Sequence, residues 1–135
     1  MMPQEVLSTR RRNTRVLAAT LVAGAVYDYL FAALFVFAPG FLAVTFDLPL
    51  PAEAFYLRLL AVLLVMVGTM YLVAARDPAS YRPLVAIAIA GRLLGAIGLA
   101  ASAYGRSDLA GLWPPAAGDL AFALAHALAA RGIWR

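Results

Sequence analysis

Four apolar stretches, Val16 to Ala38, Phe55 to Ala75, Pro83 to Tyr104 and Trp113 to Ala130, take up most of this chain of 135 residues. A helix crosses the hydrocarbon core of a bilayer with about 20 mostly apolar residues, and each stretch comes close to that length. Helix punctuation agrees with the counting. Pro39-Gly40 closes the first stretch and Arg76-Asp77-Pro78 the second, while the third and fourth open with proline near the first turn, where the missing N–H does no harm. With short connections and no room for a soluble unit, the expected fold is all-α. It is a polytopic membrane protein with one domain spanning residues 1–135, a four-transmembrane-helix bundle preceded by a basic segment at residues 1–15.

Composition supports lipid as the solvent. The chain is 64% hydrophobic and 13% charged, with a mean hydropathy of +0.86, and a soluble domain of this size cannot bury so much apolar surface. The net charge of +4 falls at the ends of the apolar runs, which points to the membrane surface and excludes nucleic acid as a partner. The chain lacks cysteine, so disulfides, thiolate metal sites and thiol redox chemistry are excluded. All eleven basic residues are arginine, a compositional trace of a GC-rich bacterial genome, and the bacterial inner (cytoplasmic) membrane is the expected location.

Arginine also sets the expected orientation, because cytoplasmic loops carry the excess of basic residues. Arg10, Arg11, Arg12 and Arg15 precede the first helix, Arg76 and Arg82 flank the second loop, and Arg131 and Arg135 end the chain. These segments share one side, which makes both termini cytoplasmic. Trp113, Trp134, Tyr56, Tyr81 and Tyr104 fall near helix ends, as an interfacial aromatic belt requires. A cleaved signal peptide is the competing reading of the basic start and of Ala23-Gly24-Ala25. The apolar run continues past that point through Phe37, which favours a retained span. The connection from Pro39 to Ala54 is itself apolar. Alternation of Val44, Phe46, Leu48 and Leu50 suggests a short extended segment over the bundle, with Pro49 and Pro51 preventing strand pairing.

Ionisable residues within the spans carry the functional question, since each costs on the order of 3 kcal/mol at the centre of a helix facing lipid. The four helices contribute Asp28, Arg58, Arg92 and Asp119 respectively, and His126 follows on the fourth. Asp28, Arg92 and Asp119 fall at one depth, while Arg58 starts about one turn into its helix and reaches inward or snorkels outward. Small residues share their faces: Gly24 and Ala32 with Asp28, and Ala88, Gly95 and Ala96 with Arg92. These charges are expected to face inward, with Tyr27, Tyr56 and His126 as neutral hydrogen-bonding neighbours. Gly91 and Gly95 form a small-xxx-small pair that serves a helix contact or a homodimer.

Two Asp and two Arg sum to zero, which implies pairing across helices. Such a set fixes helix register, floors a pocket for an amphipathic molecule such as a lipid, quinone or steroid-like compound, or lines a proton or solute path. The last role would make the chain a small proton-coupled exporter with Asp28 as the titrating carboxylate. His126 has no second histidine to complete an axial pair, and Met66 and Met70 read as packing residues, so no metal or haem is implied. The sequence contains no nucleophile with its base, no phosphate loop and no metal cluster, and the reading leans away from an enzyme.

The four-helix layout, the proline-rich first outer loop and the stretch Arg58-Leu-Leu-Ala-Val-Leu-Leu-Val-Met-Val-Gly68 resemble the DoxX-like group of small bacterial membrane proteins, and the segments Gly91-Arg92-Leu93 and Gly118-Asp119-Leu120 are similar to related four-helix proteins. The resemblance covers most of the chain in layout more than in motif. It implies an accessory subunit of a quinone-linked membrane complex, with a partner subunit and quinone as the expected company.

Overall fold

The computed structural model describes residues 4–134, with side chains from Ser8 onward; Arg135, one of the arginines used for orientation, lies outside them. Its elements are α1 (Gln4–Phe37), α2 (Pro39–Phe46), α3 (Ala54–Arg76), α4 (Arg82–Ala103), a 3-10 turn (Ser107–Leu112) and α5 (Trp113–Trp134). The described residues include no strand. Three helices are long and apolar enough to cross a membrane: Ser8–Phe37 within α1, and the whole of α3 and α4.

Two expectations change. Helix α1 runs unbroken for 34 residues from Gln4, so the basic segment is the first part of the helix and not a separate arm before Val16. The extended segment around Val44 and Phe46 is instead the end of α2. Pro39 sits in its first turn with a favourable φ, Gly40 beside it is accommodated at the helix start, and Asp47 ends the helix in the left-handed region at φ 49°. Asp47 to Glu53 remain outside the helices.

Helix α1 packs antiparallel on α3 and on α5, α5 packs on α4, and α3 and α4 touch much less. The four long helices thus form a square with α1 and α4 on one diagonal. Glycines allow the closest approaches. A Cβ on Gly68 of α3 would press on the Tyr29 ring and the Ala25 carbonyl of α1, and one on Gly24 would press on the Tyr71 ring.

Two apolar clusters divide the interior. At the end holding both termini, Leu17, Leu21, Tyr71, Ala74, Val85, Ala88, Ala130 and Ile133 draw on all four long helices. At the opposite end the cluster is Ala32, Phe35, Leu42, Leu48, Leu57 and Ala61, to which α4 contributes nothing. Helices α3 and α4 are joined tightly at the terminal end by Asp77 to Tyr81 and diverge toward the other. That other end is covered by α2 and the 3-10 turn, which meet where Gly111 lies against the Asp47 carbonyl with no space for a side chain.

The tight α3–α4 connection is held by Asp77, whose carboxylate accepts from the Ser80 hydroxyl at 2.6 Å and from the Ser80 N–H at 3.3 Å. These donors hold the Asp77 carboxyl below its ordinary range, the hydroxyl bond first. A depressed carboxyl stabilises the fold above its ordinary pKa and loses that contribution as pH falls through the folded value. Ser80→Ala is therefore expected to move Asp77 back up toward the ordinary value, as read by a carboxyl 13C titration; an unmoved titration would rule the turn out as the cause.

Candidate functional site

Asp28, Arg92 and Asp119 come together in the middle of the square. Asp28 is fully buried, Arg92 is 6% exposed and Asp119 is 16% exposed. Arg92 reaches from α4 across the diagonal, where Nη2 donates to Asp28 Oδ1 at 2.7 Å and to the Gly24 carbonyl at 3.1 Å. Its Nη1 donates to Asp119 Oδ1 on α5 at 2.6 Å. One planar guanidinium thus ties three helices, a geometry that suits the rigid fork of arginine and not the single ammonium of lysine. The small neighbours explain the fit. A Cβ on Gly24 would stand 3.6 Å from Nη2, and one on Gly95 would collide with Asp119 Oδ2.

Aromatic rings enclose the guanidinium. Its Cζ lies 5.3 Å from the Tyr27 ring centroid, 5.2 Å from Tyr71 and 5.1 Å from Phe122, all within cation–π range. Tyr27 meets the site with its ring face, its hydroxyl lying near Gly118. Tyr71 and Phe122 carry no charge, and only the position of Phe122 one turn after Asp119 hinted at a part in the site. The Gly24 carbonyl was not legible at all, because any residue supplies one.

His126 is fully buried one ring layer away, stacked on Phe122 with centroids 6.0 Å apart and edge-on to Tyr71 at 5.8 Å. It faces the Thr20 backbone. Neither ring nitrogen reaches full hydrogen-bond geometry, and the polar backbone it faces belongs to α1, the neighbouring helix. A buried polar ring without hydrogen bonds costs stability relative to an apolar ring of the same shape. His126→Phe is expected to be neutral or to stabilise by up to about 1 kcal/mol in reversible unfolding. A loss larger than that would reveal a functional or hydrogen-bonding partner for the imidazole.

Arg58 and Tyr56 stay apart from the triad. Both are exposed, and Arg58 borders a shallow apolar groove between α1 and α3 with Ala32, Ala33, Ala61 and Met66. Arg58 does not turn into the bundle interior; it stays exposed near the start of α3. The expected zero charge balance falls with it. The assembled site holds two carboxyl groups and one guanidinium.

The triad forms the floor of a cavity of about 460 Å³. Tyr27, Asp28, Phe31 and Phe35 of α1, Leu60 and Leu64 of α3, and Gly95 and Leu99 of α4 form its walls, with Pro115 and Asp119 of α5. Leu48, Pro49, Leu50 and Pro51 cover it. The cavity occupies the space left where α4 diverges from α3, and its volume lies in the range of small-molecule sites, which are mostly apolar with few polar groups. Two polar atoms of the floor have no partner, Asp28 Oδ2 and Arg92 Nε. No group of three or more His, Asp or Glu suited to a metal occurs among the described residues.

Comparison with protein-family models, curated proteins and solved structures gives no match. The reading of the site rests on its own geometry.

Proposed function

We propose that this chain is a four-span protein of the bacterial inner membrane, with both termini in the cytoplasm, that binds an amphipathic small molecule in the cavity above Asp28, Arg92 and Asp119. The observation that carries the reading is the joining of an apolar cavity to a buried polar floor that retains unpartnered atoms. An elongated apolar molecule with a polar head matches that shape.

Helix α5 belongs among the spans on this reading. It is 22 residues long, as α4 is, and its hydropathy is lowered by Asp119 and His126, which join the interior. Its outer face carries Leu120, Leu124 and Leu128, one turn apart and exposed, a row that lipid would cover. Exposed Trp113, Tyr104, Tyr81 and Tyr56 sit at helix ends, where an aromatic belt would lie. Arg10 to Arg15, Arg76, Arg82 and Arg131 gather at the terminal end and support the cytoplasmic assignment. The layout shared with the DoxX-like group adds a role as accessory subunit, with quinone among the amphipathic candidates. A proton-coupled exporter using Asp28 is the second reading. It has less support because the apolar cluster of Leu17, Leu21, Ala74, Val85 and Ala130 fills the path from the triad to the terminal end.

The test is retention of the bound molecule. The full chain extracted from native membranes into lipid nanodiscs is expected to carry a stoichiometric amphipathic molecule, detectable by mass spectrometry. Leu99→Trp, which fills the cavity from α4 with a larger side chain, is expected to lose it while keeping helix content. Unchanged retention by that variant would sink the proposal.

A further inference from the structure

Arg92 is the one cation among the described residues that line the cavity, and it already serves two carboxyl groups. With both carboxyls ionised the floor carries one negative charge in excess. In an interior of low dielectric an uncompensated charge is costly, and it attracts a proton or a positive group far more strongly than it would in water. The fully buried Asp28 lines this cavity, and its Oδ2 has no hydrogen-bond partner. A carboxylate oxygen accepts and cannot donate, so the group it lacks is a donor. Asp119 Oδ2, lying over Gly95 beside the same floor, offers a second acceptor. Except for Tyr27, the remaining walls are apolar.

We infer that the ligand's head is a protonated amine, a positively charged hydrogen-bond donor on an apolar body, received by Asp28 and Asp119 beside Arg92. The inference rests on the proposed binding role of this cavity. An ammonium has the sign that the floor lacks and up to three donors to share between the two carboxylates. The rings of Phe31 and Tyr27 border the same space and favour a cation over an anion. A phosphate or carboxylate head would bring like charge against Asp28 and Asp119, and Arg92 has both terminal nitrogens committed, with only Nε–H left to offer. Access follows from the fold: α3 and α4 diverge at the cavity's level, so an amphiphile dissolved in the bilayer would arrive sideways between Leu64 and Leu99, head toward the triad.

The experiment compares three heads on one chain length. Dodecylamine, dodecanol and dodecanoate are titrated into the full-length protein in phosphatidylcholine nanodiscs, and binding to empty nanodiscs is subtracted. Dodecylamine is expected to bind about tenfold or more tightly than dodecanol, as one charge-assisted bond implies, with dodecanoate weakest. Asp28→Asn is expected to remove most of the advantage of the amine over dodecanol. The ranking within the unaltered protein stands as a test even if that variant fails to fold. Dodecanoate binding as well as dodecylamine overturns the inference, as does an amine preference that survives both Asp28→Asn and Asp119→Asn. If all three heads bind alike and Leu99→Trp abolishes all of them, the head-group inference fails while the cavity remains a binding site. If binding of the three is indifferent to Leu99→Trp, the cavity reading fails as well.

Discussion

Arg92→Leu is expected to cost about 3–5 kcal/mol of stability, the range for breaking a buried ion pair by removing one partner. The loss follows from what stays behind. Asp28 and Asp119 would be stranded side by side in the bundle interior, and the Gly24 carbonyl would lose its donor. Three helices would lose their common tie at once, including the link along the α1–α4 diagonal. The expected readout is reversible unfolding in mixed micelles followed by tryptophan fluorescence, since Trp113 and Trp134 stand at the two ends of α5. Charge and packing are separable. The triple variant with Arg92→Leu, Asp28→Asn and Asp119→Asn has no stranded charge and is expected to recover most of the loss. Arg92→Lys is expected to fall between, because a single ammonium lacks the planar spread by which Nη1 and Nη2 reach carboxylates on two other helices and the Gly24 carbonyl at once. A cost below about 1 kcal/mol for Arg92→Leu would mean that the triad does not organise the bundle.

The inward direction of these charges was legible because the physics is severe. Hydrocarbon leaves ionised side chains few places to go, and Gly24, Ala32, Ala88 and Ala96, spaced on the faces of Asp28 and Arg92, told which way the helices turn. The same rule did not decide Arg58. A long side chain near a helix end has an escape to the interface that a mid-helix aspartate lacks, and only tertiary structure shows that Arg58 stays out of the interior. Charge counting therefore failed. The sum over four residues was zero, but the sum over the three that meet is not, and the cavity's chemistry turns on that difference. Helix α2 escapes the sequence for another reason: periodicity over a few apolar residues does not separate a strand from a helical turn, and Pro39 reads as an end when it is also a start. The cavity had no sequence signal, since it arises from the divergence of α3 and α4 beneath a covering segment that alternates only in part.

Tyr71 carries the second large expectation. It is the bulkiest of the fully enclosed side chains, 2% exposed, and its ring fills the notch that Gly24 leaves on α1. The same ring lies 5.2 Å from the Arg92 Cζ and 5.8 Å from the His126 ring, so it separates the triad from the imidazole and seals the cavity floor from the terminal cluster. Tyr71→Ala removes the ring from a site where backbones are already in close contact and cannot collapse further, and a cost of about 3 kcal/mol is expected. That is the low end for a buried aromatic, because helices separated in a membrane still keep their side chains out of water and only the packing contribution is at stake. Tyr71→Phe keeps the ring, the notch and the cation–π face, and is expected to cost less than about 1 kcal/mol. The two variants also part in function. Tyr71→Ala opens the floor and is expected to weaken retention of the bound amphiphile several-fold beyond its effect on folding, whereas Tyr71→Phe leaves retention unchanged. If Tyr71→Ala unfolds no more readily than Tyr71→Phe, the ring is not what holds α3 against α1. The floor of the cavity would then have to be secured by the ion triad alone.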